Sequence, residues 1–275
     1  MTPSSQNDRA QIFHRLHQIG PVLVLPNAWD PVSARLIEEA GATAIATTSS
    51  GVSWANGRPD GHGLTAAQMA RAVGDIVAVC TAPVSADIEA GYCDDAATVG
   101  ETVRAVLDVG AVGVNLEDGT DAPDLLAAKI AAAKEAGVKA GINLFVNART
   151  DVVLRGLCPA EKAVEEILTR SALYQKAGAD GLFVPGLAQP EAIRAVAGGT
   201  NLPLNVMALP GLPPAEALGG LGVQRLSLGG ALAEGAHGWL RKTVTRVLET
   251  GECDPAFVDA LSYFDLNGLF DRPRA

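Results

Sequence analysis

Cysteine is scarce in this chain and shows no metal or redox pattern. Its 275 residues hold Cys80, Cys93, Cys158 and Cys253, none in CxxC spacing. That argues against a structural zinc or a disulfide framework and leaves reduced thiols. Basic charge is short as well, with Lys+Arg 21 against Asp+Glu 31 and a formal net charge of −10. An acidic surface without a basic run repels phosphate backbones and anionic lipid, so neither nucleic acid nor membrane is an expected partner. Long membrane-type apolar runs are missing. The uncharged stretch 40–57 carries Thr47, Thr48, Ser49, Ser50, Ser53 and Asn56, and the stretch 195–215 holds four prolines. The N-terminus, residues 1–11, is polar and lacks the apolar segment of a signal peptide, which leaves the cytoplasm as the expected compartment. No Gly/Ser linker or composition shift marks a domain boundary.

What is present is globular: 48% hydrophobic residues, with a mean hydropathy of +0.20. Runs rich in Val, Ile and Leu at 22–26, 43–48, 84–88, 113–117, 143–148, 181–184, 204–207 and 224–228 read as strands. Segments of helical period at 31–40, 66–79, 96–109, 124–136, 160–177, 190–196, 214–218 and 231–249 alternate with them, and a further helix over 8–18 comes first. Gly41, Gly110 and Gly178 fall where a left-handed helix C-cap belongs. Near-continuous apolar runs suit parallel strands buried on both faces, with right-handed crossovers that wrap the helices outside. Eight such units predict one (β/α)8 TIM barrel domain over residues 1–275, with an extra N-terminal helix. Residues 254–275 read as a helical tail carrying Phe257, Leu261, Phe264, Leu266, Leu269 and Phe270. The barrel's outer positions are already filled, so this tail is expected to serve oligomerisation.

Reactive groups in such barrels come from the C-terminal strand ends and the loops that follow. Polar residues collect there. In Ser85-Ala86-Asp87-Ile88-Glu89-Ala90-Gly91-Tyr92 the two acids stand at i and i+2, on one side of an extended strand. Asn115 and Glu117 share a face at the next strand end. Three carboxylates on adjacent strand ends repel one another unless a cation holds them, and an all-oxygen set suits Mg²⁺ with several waters retained. The competing reading, acids that cap helices or solvate the mouth, fits Asp94 and Asp95. Arg149, in Asn147-Ala148-Arg149-Thr150-Asp151, offers a planar donor fork to a carboxylate or phosphate. Its alternative is an ion pair with Asp151 or Glu117 that stiffens the rim. Thr48-Ser49-Ser50-Gly51-Val52-Ser53 reads as a small-residue turn able to cradle an anion, and Asp60 as either a turn former or an active-site acid. Cys158, His62 and His237 are further candidates for proton transfer. Trp29 and Tyr92 are expected in the pocket wall.

Taken in order, Ser50-Gly51, Gly57-Arg58-Pro59-Asp60-Gly61, Asp87-Ile88-Glu89-Ala90-Gly91-Tyr92, Gly113-Val114-Asn115-Leu116-Glu117-Asp118 and Asn147-Ala148-Arg149-Thr150-Asp151 resemble the isocitrate lyase / phosphoenolpyruvate mutase superfamily. The likeness runs from Pro26-Asn27-Ala28-Trp29-Asp30 to Pro203-Leu204-Asn205-Val206-Met207. It implies an enzyme dependent on Mg²⁺ (or Mn²⁺) that makes or breaks the bond beside the enolate of a small 2-oxo carboxylate. Carried over by position, Asp87 binds the metal directly while Glu89 and Glu117 hold its waters. Ser50 and Gly51 take the substrate carboxylate, Asn205 is a further substrate contact, Arg149 faces the second anionic group and Asp60 lies by the reacting oxygens. The lyases of that family carry a Cys-bearing lid after the Glu117 position. Here Asp118-Gly119-Thr120-Asp121-Ala122-Pro123-Asp124 leads straight into a helix without Cys, Lys or His. The short loop suits decarboxylation or retro-aldol C–C cleavage. P–C bond chemistry and a non-catalytic barrel that binds a 2-oxo acid are the alternatives. The resemblance also implies a homo-oligomer, dimer or tetramer, with the last helix swapped between subunits.

Overall fold

The computed structural model describes residues 5–18, 20–61 and 63–271, so His62 lies outside the described residues. Parallel strands form a nearly closed ring: β1 (Leu23–Leu25), β2 (Asn27–Ala28), β3 (Ile45–Thr47), β4 (Val84–Asp87), β5 (Gly113–Glu117), β6 (Phe145–Arg149), β7 (Gly181–Phe183), β8 (Leu204–Met207) and β9 (Val223–Ser227). They lie in the order β1-β9-β8-β7-β6-β5-β4-β3-β2. The first two pieces are halves of one expected strand, parted at Pro26, whose ring leaves no N–H for a ladder bond. The nine pieces therefore make the predicted eight-stranded barrel. Pro26 still accepts from the Ala46 N–H at 3.0 Å. Across the gap, Asn27 Oδ1 accepts the N–H groups of Leu228 and Gly229, each at 2.9 Å, and its Nδ2 donates to the Thr47 carbonyl at 2.8 Å.

Helices α1 (Gln6–Leu16), α2 (Pro31–Glu39), α3 (Ser49–Ala55), α4 (Ala66–Val77), α5 (Ala96–Asp108), α6 (Pro123–Ala140), α7 (Ala163–Ala177), α8 (Pro190–Gly199), α9 (Ala215–Gly220), α10 (Ala231–Thr250) and α11 (Tyr263–Asp271) complete the chain. Gly41, Gly110 and Gly178 adopt φ of +96°, +104° and +105°, the left-handed turns expected from the sequence. The extra helix α1 closes the N-terminal end of the ring. Its Phe13 is buried with Leu23, Leu25, Val112 and Phe145, and Gln6 Nε2 reaches the Leu107 and Ala111 carbonyls at 2.7 and 2.8 Å. The opposite, C-terminal mouth holds a cavity lined by strand-end residues.

Two stretches differ from expectation. Residues 49–55 are not a turn but the short helix α3, pressed so closely on its surroundings that a Cβ at Gly51 would lie 2.8 Å from both Thr48 Cγ2 and Trp29 Cβ. Helix α10 buries only Ala233 and Thr243, while Trp239, Leu240, Val244 and Leu248 stay exposed. Beside its start, an apolar groove of about 790 Å³ runs along the outside of β1 and α2, lined by Val22, Val24, Leu36, Ile37, Leu228 and Leu232 among others. No described helix is long and apolar enough to cross a membrane.

Candidate active site

A cavity of about 270 Å³ opens at the C-terminal mouth, where Ser50, Asp60, Asp87, Asn115 and Arg149 meet Trp54, Phe183 and Ser227. Four predicted site residues, Ser50, Asp60, Asp87 and Arg149, are thus brought together. The others stand around this lining rather than in it. Gly51 is sealed in α3 against Trp29. Glu89 and Glu117 stand behind the rim, both largely buried. Asn205 is spent in the wall, its Nδ2 donating to the Val206 carbonyl at 2.7 Å and to Ser227 Oγ at 3.1 Å. Trp54 and Phe183, not Trp29 or Tyr92, supply the aromatic wall. His237 holds the Ala233 carbonyl at 2.7 Å through Nδ1, and Cys158 packs against the hydrophobic core.

The two acids after β4 meet in an unexpected way. The strand ends at Asp87, and Glu89 occupies the left-handed region (φ +51°), so strand alternation does not align them. A tight turn does, with the Glu89 N–H donating to Asp87 Oδ1 at 3.2 Å. A non-glycine residue held there needs outside support. Lys129, buried on α6, supplies it by donating to the Ala90 carbonyl at 2.9 Å. The backbone N–H of Asp87 donates to Thr47 Oγ1 at 2.8 Å. Asp95 caps α5 as expected, accepting the Thr98 N–H at 2.8 Å. Asp94 stands 3.9 Å from Lys129 Nζ.

Arg149 makes both of the ion pairs foreseen for it. Nε and Nη2 grip Asp151 at 2.7 and 3.1 Å, Nη1 meets Glu117 at 2.7 Å, and the guanidinium lies 5.8 Å from the centre of the Phe183 ring. Burial opposes its charge, but Glu117 and Asp151 outweigh that and hold its pKa above the usual value. Acids still outnumber bases here. Burial, added to Asp87, Asp151 and Glu89, pushes Glu117 up to about 8 despite Arg149, and burial raises Asp87 against the pull of the same guanidinium.

Behind the rim lies a support that the sequence did not announce. Asp118, the first residue of the short loop, turns inward and accepts from Arg170 Nη1 at 2.8 Å, Tyr174 Oη at 2.6 Å and the Asp151 N–H at 2.8 Å. Helix α7 therefore positions Asp151, which in turn grips Arg149. Arg225 was also missed. It is fully buried inside the barrel, and its signal was the inward alternation of Val223, Arg225 and Ser227 along β9.

Among the described residues no three His, Cys, Asp or Glu side chains converge closely enough to ligate one ion directly. Asp87, Glu89 and Glu117, largely buried and close enough for Glu117 to feel the charges of the other two, are nonetheless an all-oxygen donor set whose chemistry fits a hard cation retaining its waters.

A family model described as phosphoenolpyruvate phosphomutase matches residues 13–248. An uncharacterized protein of Mycobacterium tuberculosis is 39% identical over 226 residues, covering 79% of this chain and 81% of its own. 2-Methylisocitrate lyase of Bacillus subtilis is 30% identical, covering 70% of this chain and 62% of its own. Oxaloacetate decarboxylase 1 of Pseudomonas putida is 28% identical, covering 82% and 79%. Among solved structures, a provisional lyase/mutase from Burkholderia cenocepacia superposes with a TM-score of 0.90 at 34% identity, over 98% of this chain and 97% of its own. A phosphonopyruvate hydrolase solved with oxalate and Mg²⁺ shares the fold at a TM-score of 0.83 and 23% identity, over 95% and 94%. A closed-bottomed barrel with its acids and one paired guanidinium at the strand ends, matched along most of its length, belongs to the phosphoenolpyruvate mutase / isocitrate lyase superfamily.

Proposed function

We propose that this chain is a Mg²⁺-dependent (or Mn²⁺-dependent) enzyme that cleaves or decarboxylates a small 2-oxo dicarboxylate through its enolate. The observation that carries the reading is the convergence of Asp87, Arg149, Ser50 and Asp60 on one small cavity at the barrel mouth. Its relatives include a carbon–carbon lyase and an oxaloacetate decarboxylase. A volume of about 270 Å³ suits an acid of a few carbons. Asp87 would hold the metal, with Glu89 and Glu117 on its waters. When bound, Mg²⁺ supplies Lewis-acid stabilisation of the charge that develops on the 2-oxo oxygen. Ser50 through its hydroxyl and Gly51 through its backbone N–H alone, since its Cα is sealed against Trp29, would orient one carboxylate, and Arg149 balances the second anionic group from its fixed place between Glu117 and Asp151. Asp60, exposed at the mouth, stands beside the reacting oxygens. In a coupled assay, oxaloacetate should release pyruvate and phosphonopyruvate should not. The reverse result would establish P–C bond chemistry, and tight binding of both without turnover would make the protein a binding barrel.

The Glu117 carboxyl gives this reading a pH signature. Without a cation the folded state keeps a proton on Glu117 that the unfolded chain releases above 4.5, so stability falls as pH rises from 4.5 toward about 8. A cation held near Glu117 relieves that penalty. The rise in Tm on adding MgCl2 should therefore be larger at about pH 8 than at about pH 6. Equal shifts would mean that Glu117 is already ionised at about pH 6 or stands apart from the metal.

We further infer a cytoplasmic homo-oligomer, dimer or tetramer, in which α10 and the tail of one copy cover a neighbour. In support, α10 leaves its apolar side exposed, a groove of about 790 Å³ runs beside it, and Phe257, Tyr263 and Phe264 are 74%, 75% and 82% exposed. Deleting residues 254–275 should give smaller or insoluble species. Light scattering that finds the full-length chain monomeric at micromolar concentration would end this proposal.

A further inference from the structure

Below the cavity the barrel interior is polar, and its hydrogen bonds decide which way one amide faces. Asn115 Oδ1 accepts from Asn147 Nδ2 at 2.9 Å and from Arg225 Nη2 at 3.3 Å. Asn147 Nδ2 also donates to Asn205 Oδ1 at 3.0 Å. Asn carboxamides can be turned over to suit a network, but a guanidinium carries donors only. Arg225 therefore settles the matter. The oxygen of Asn115 must face it, because the reversed amide would set –NH2 against a cation that cannot accept. The Nδ2 of Asn115 is left on the other side, and Asn115 lines the cavity, in register with Asp87 on the adjacent strand.

Arg225 is an unusual residue to find in this place. It starts on β9, four strands around the ring from β5, and crosses the interior to reach Asn115. The interior it crosses is tightly filled: a Cβ at Gly113 would lie 2.9 Å from Phe13 Cε1, and one at Gly181 would lie 2.7 Å from Asn147 Oδ1. The side chain is completely buried, and among the described residues its Nε and Nη1 find no acceptor. A buried charge so incompletely paired lowers stability relative to an apolar side chain of its size. Residues that break a packing rule in this way are expected where function requires them.

We propose that Asn115 is a ligand-binding residue whose Nδ2 donates to an acceptor oxygen of the bound 2-oxo acid beside Asp87, and that Arg225 is the positioning residue that fixes this orientation. The acids around the cavity only accept when ionised. Asn115 then makes the spot next to Asp87 selective for a carbonyl, enolate or carboxylate oxygen over an ammonium. This rests on the 2-oxo acid reading of the site.

The probe is oxalate, a non-reacting dianion with adjacent oxygens, titrated calorimetrically into the full-length protein with Mg²⁺. Asn115→Ala should weaken oxalate about tenfold, as for loss of one hydrogen bond to a charged group. Arg225→Met should weaken it comparably while melting at the same or a higher temperature, a combination that a purely structural role does not give. Arg225→Lys should recover part of the loss. The double variant Asn115→Ala/Arg225→Met should bind within about twofold of either single variant, since both act on one contact. Arg225→Met that melts lower yet binds oxalate like the wild type overturns the proposal, as do fully additive losses in the double variant. Should Arg225→Met not fold, Arg225→Lys takes its place in the cycle. If the wild-type protein binds no oxalate with Mg²⁺, the reading of the whole site falls, and this proposal with it.

Discussion

Asp87→Ala is expected to abolish binding of Mg²⁺, whereas Asp95→Ala, eight residues on, should leave it intact. Asp87 ends β4 inside the cavity lining, and its place is fixed twice, by its own N–H on Thr47 Oγ1 and by the Glu89 N–H on Oδ1. A carboxylate so held is pre-organised for a metal. Losing groups that only orient a ligand typically costs about 10–100-fold in affinity, so loss of the direct ligand should exceed about a hundredfold. Asp95 instead caps α5 through the Thr98 N–H, and its removal touches a helix end alone. Titration calorimetry on both variants decides the point. Undiminished Mg²⁺ affinity in Asp87→Ala would remove the metal from this site.

Asp118→Ala should produce the largest loss of stability. The carboxylate is completely enclosed, and deleting it leaves Arg170 Nη1, Tyr174 Oη and the Asp151 N–H without their acceptor. Breaking a buried ion pair from one side costs about 3–5 kcal/mol. Glu166 remains on Arg170 Nε at 2.7 Å, which places the expected cost near the lower figure, about 3 kcal/mol. For a chain of this length that lowers Tm by on the order of 10 °C in scanning calorimetry. A Tm within about two degrees of the wild type would show that the pair contributes little net stability. Asp118→Asn, which keeps the shape, should lose less than Asp118→Ala.

The barrel and the strand-end acids were legible because their causes are local in sequence. Strands such as Gly181–Phe183 are apolar and buried on both faces as parallel pairing requires, and Gly178 marks its turn because a side chain at φ +105° is strained. What escaped depends on contacts between distant segments. Helix α3, composed of Ser-Ser-Gly-Val-Ser-Trp-Ala, has little intrinsic helical preference, and is shaped by its fit against Trp29 and Ala233. The Glu89 turn is held by Lys129, 40 positions later in the chain. Arg225 and Asn115 meet only because closing the ring sets β9 opposite β5. Even the Arg149 pairs, foreseen as alternatives, turn out to be made together with the residue's place at the cavity.

The break at Pro26 gives the ring an uneven compliance. Around most of the circumference neighbouring strands share backbone bonds, and parting them means breaking several together. Between β2 and β9, at the mouth, no strand pairing is made among the described residues, and the Asn27 carboxamide joins them, with Oδ1 on Leu228 and Gly229. Regions with few such bonds open at the lowest free energy. The barrel thus breathes like a clasped band rather than a solid hoop, yielding first at its clasp. Asn27, Ser227 and Gly229 belong to the cavity wall, so the part of the wall that gives way under a larger ligand is the clasp side, while the face formed by Asp87 and Arg149 keeps its shape.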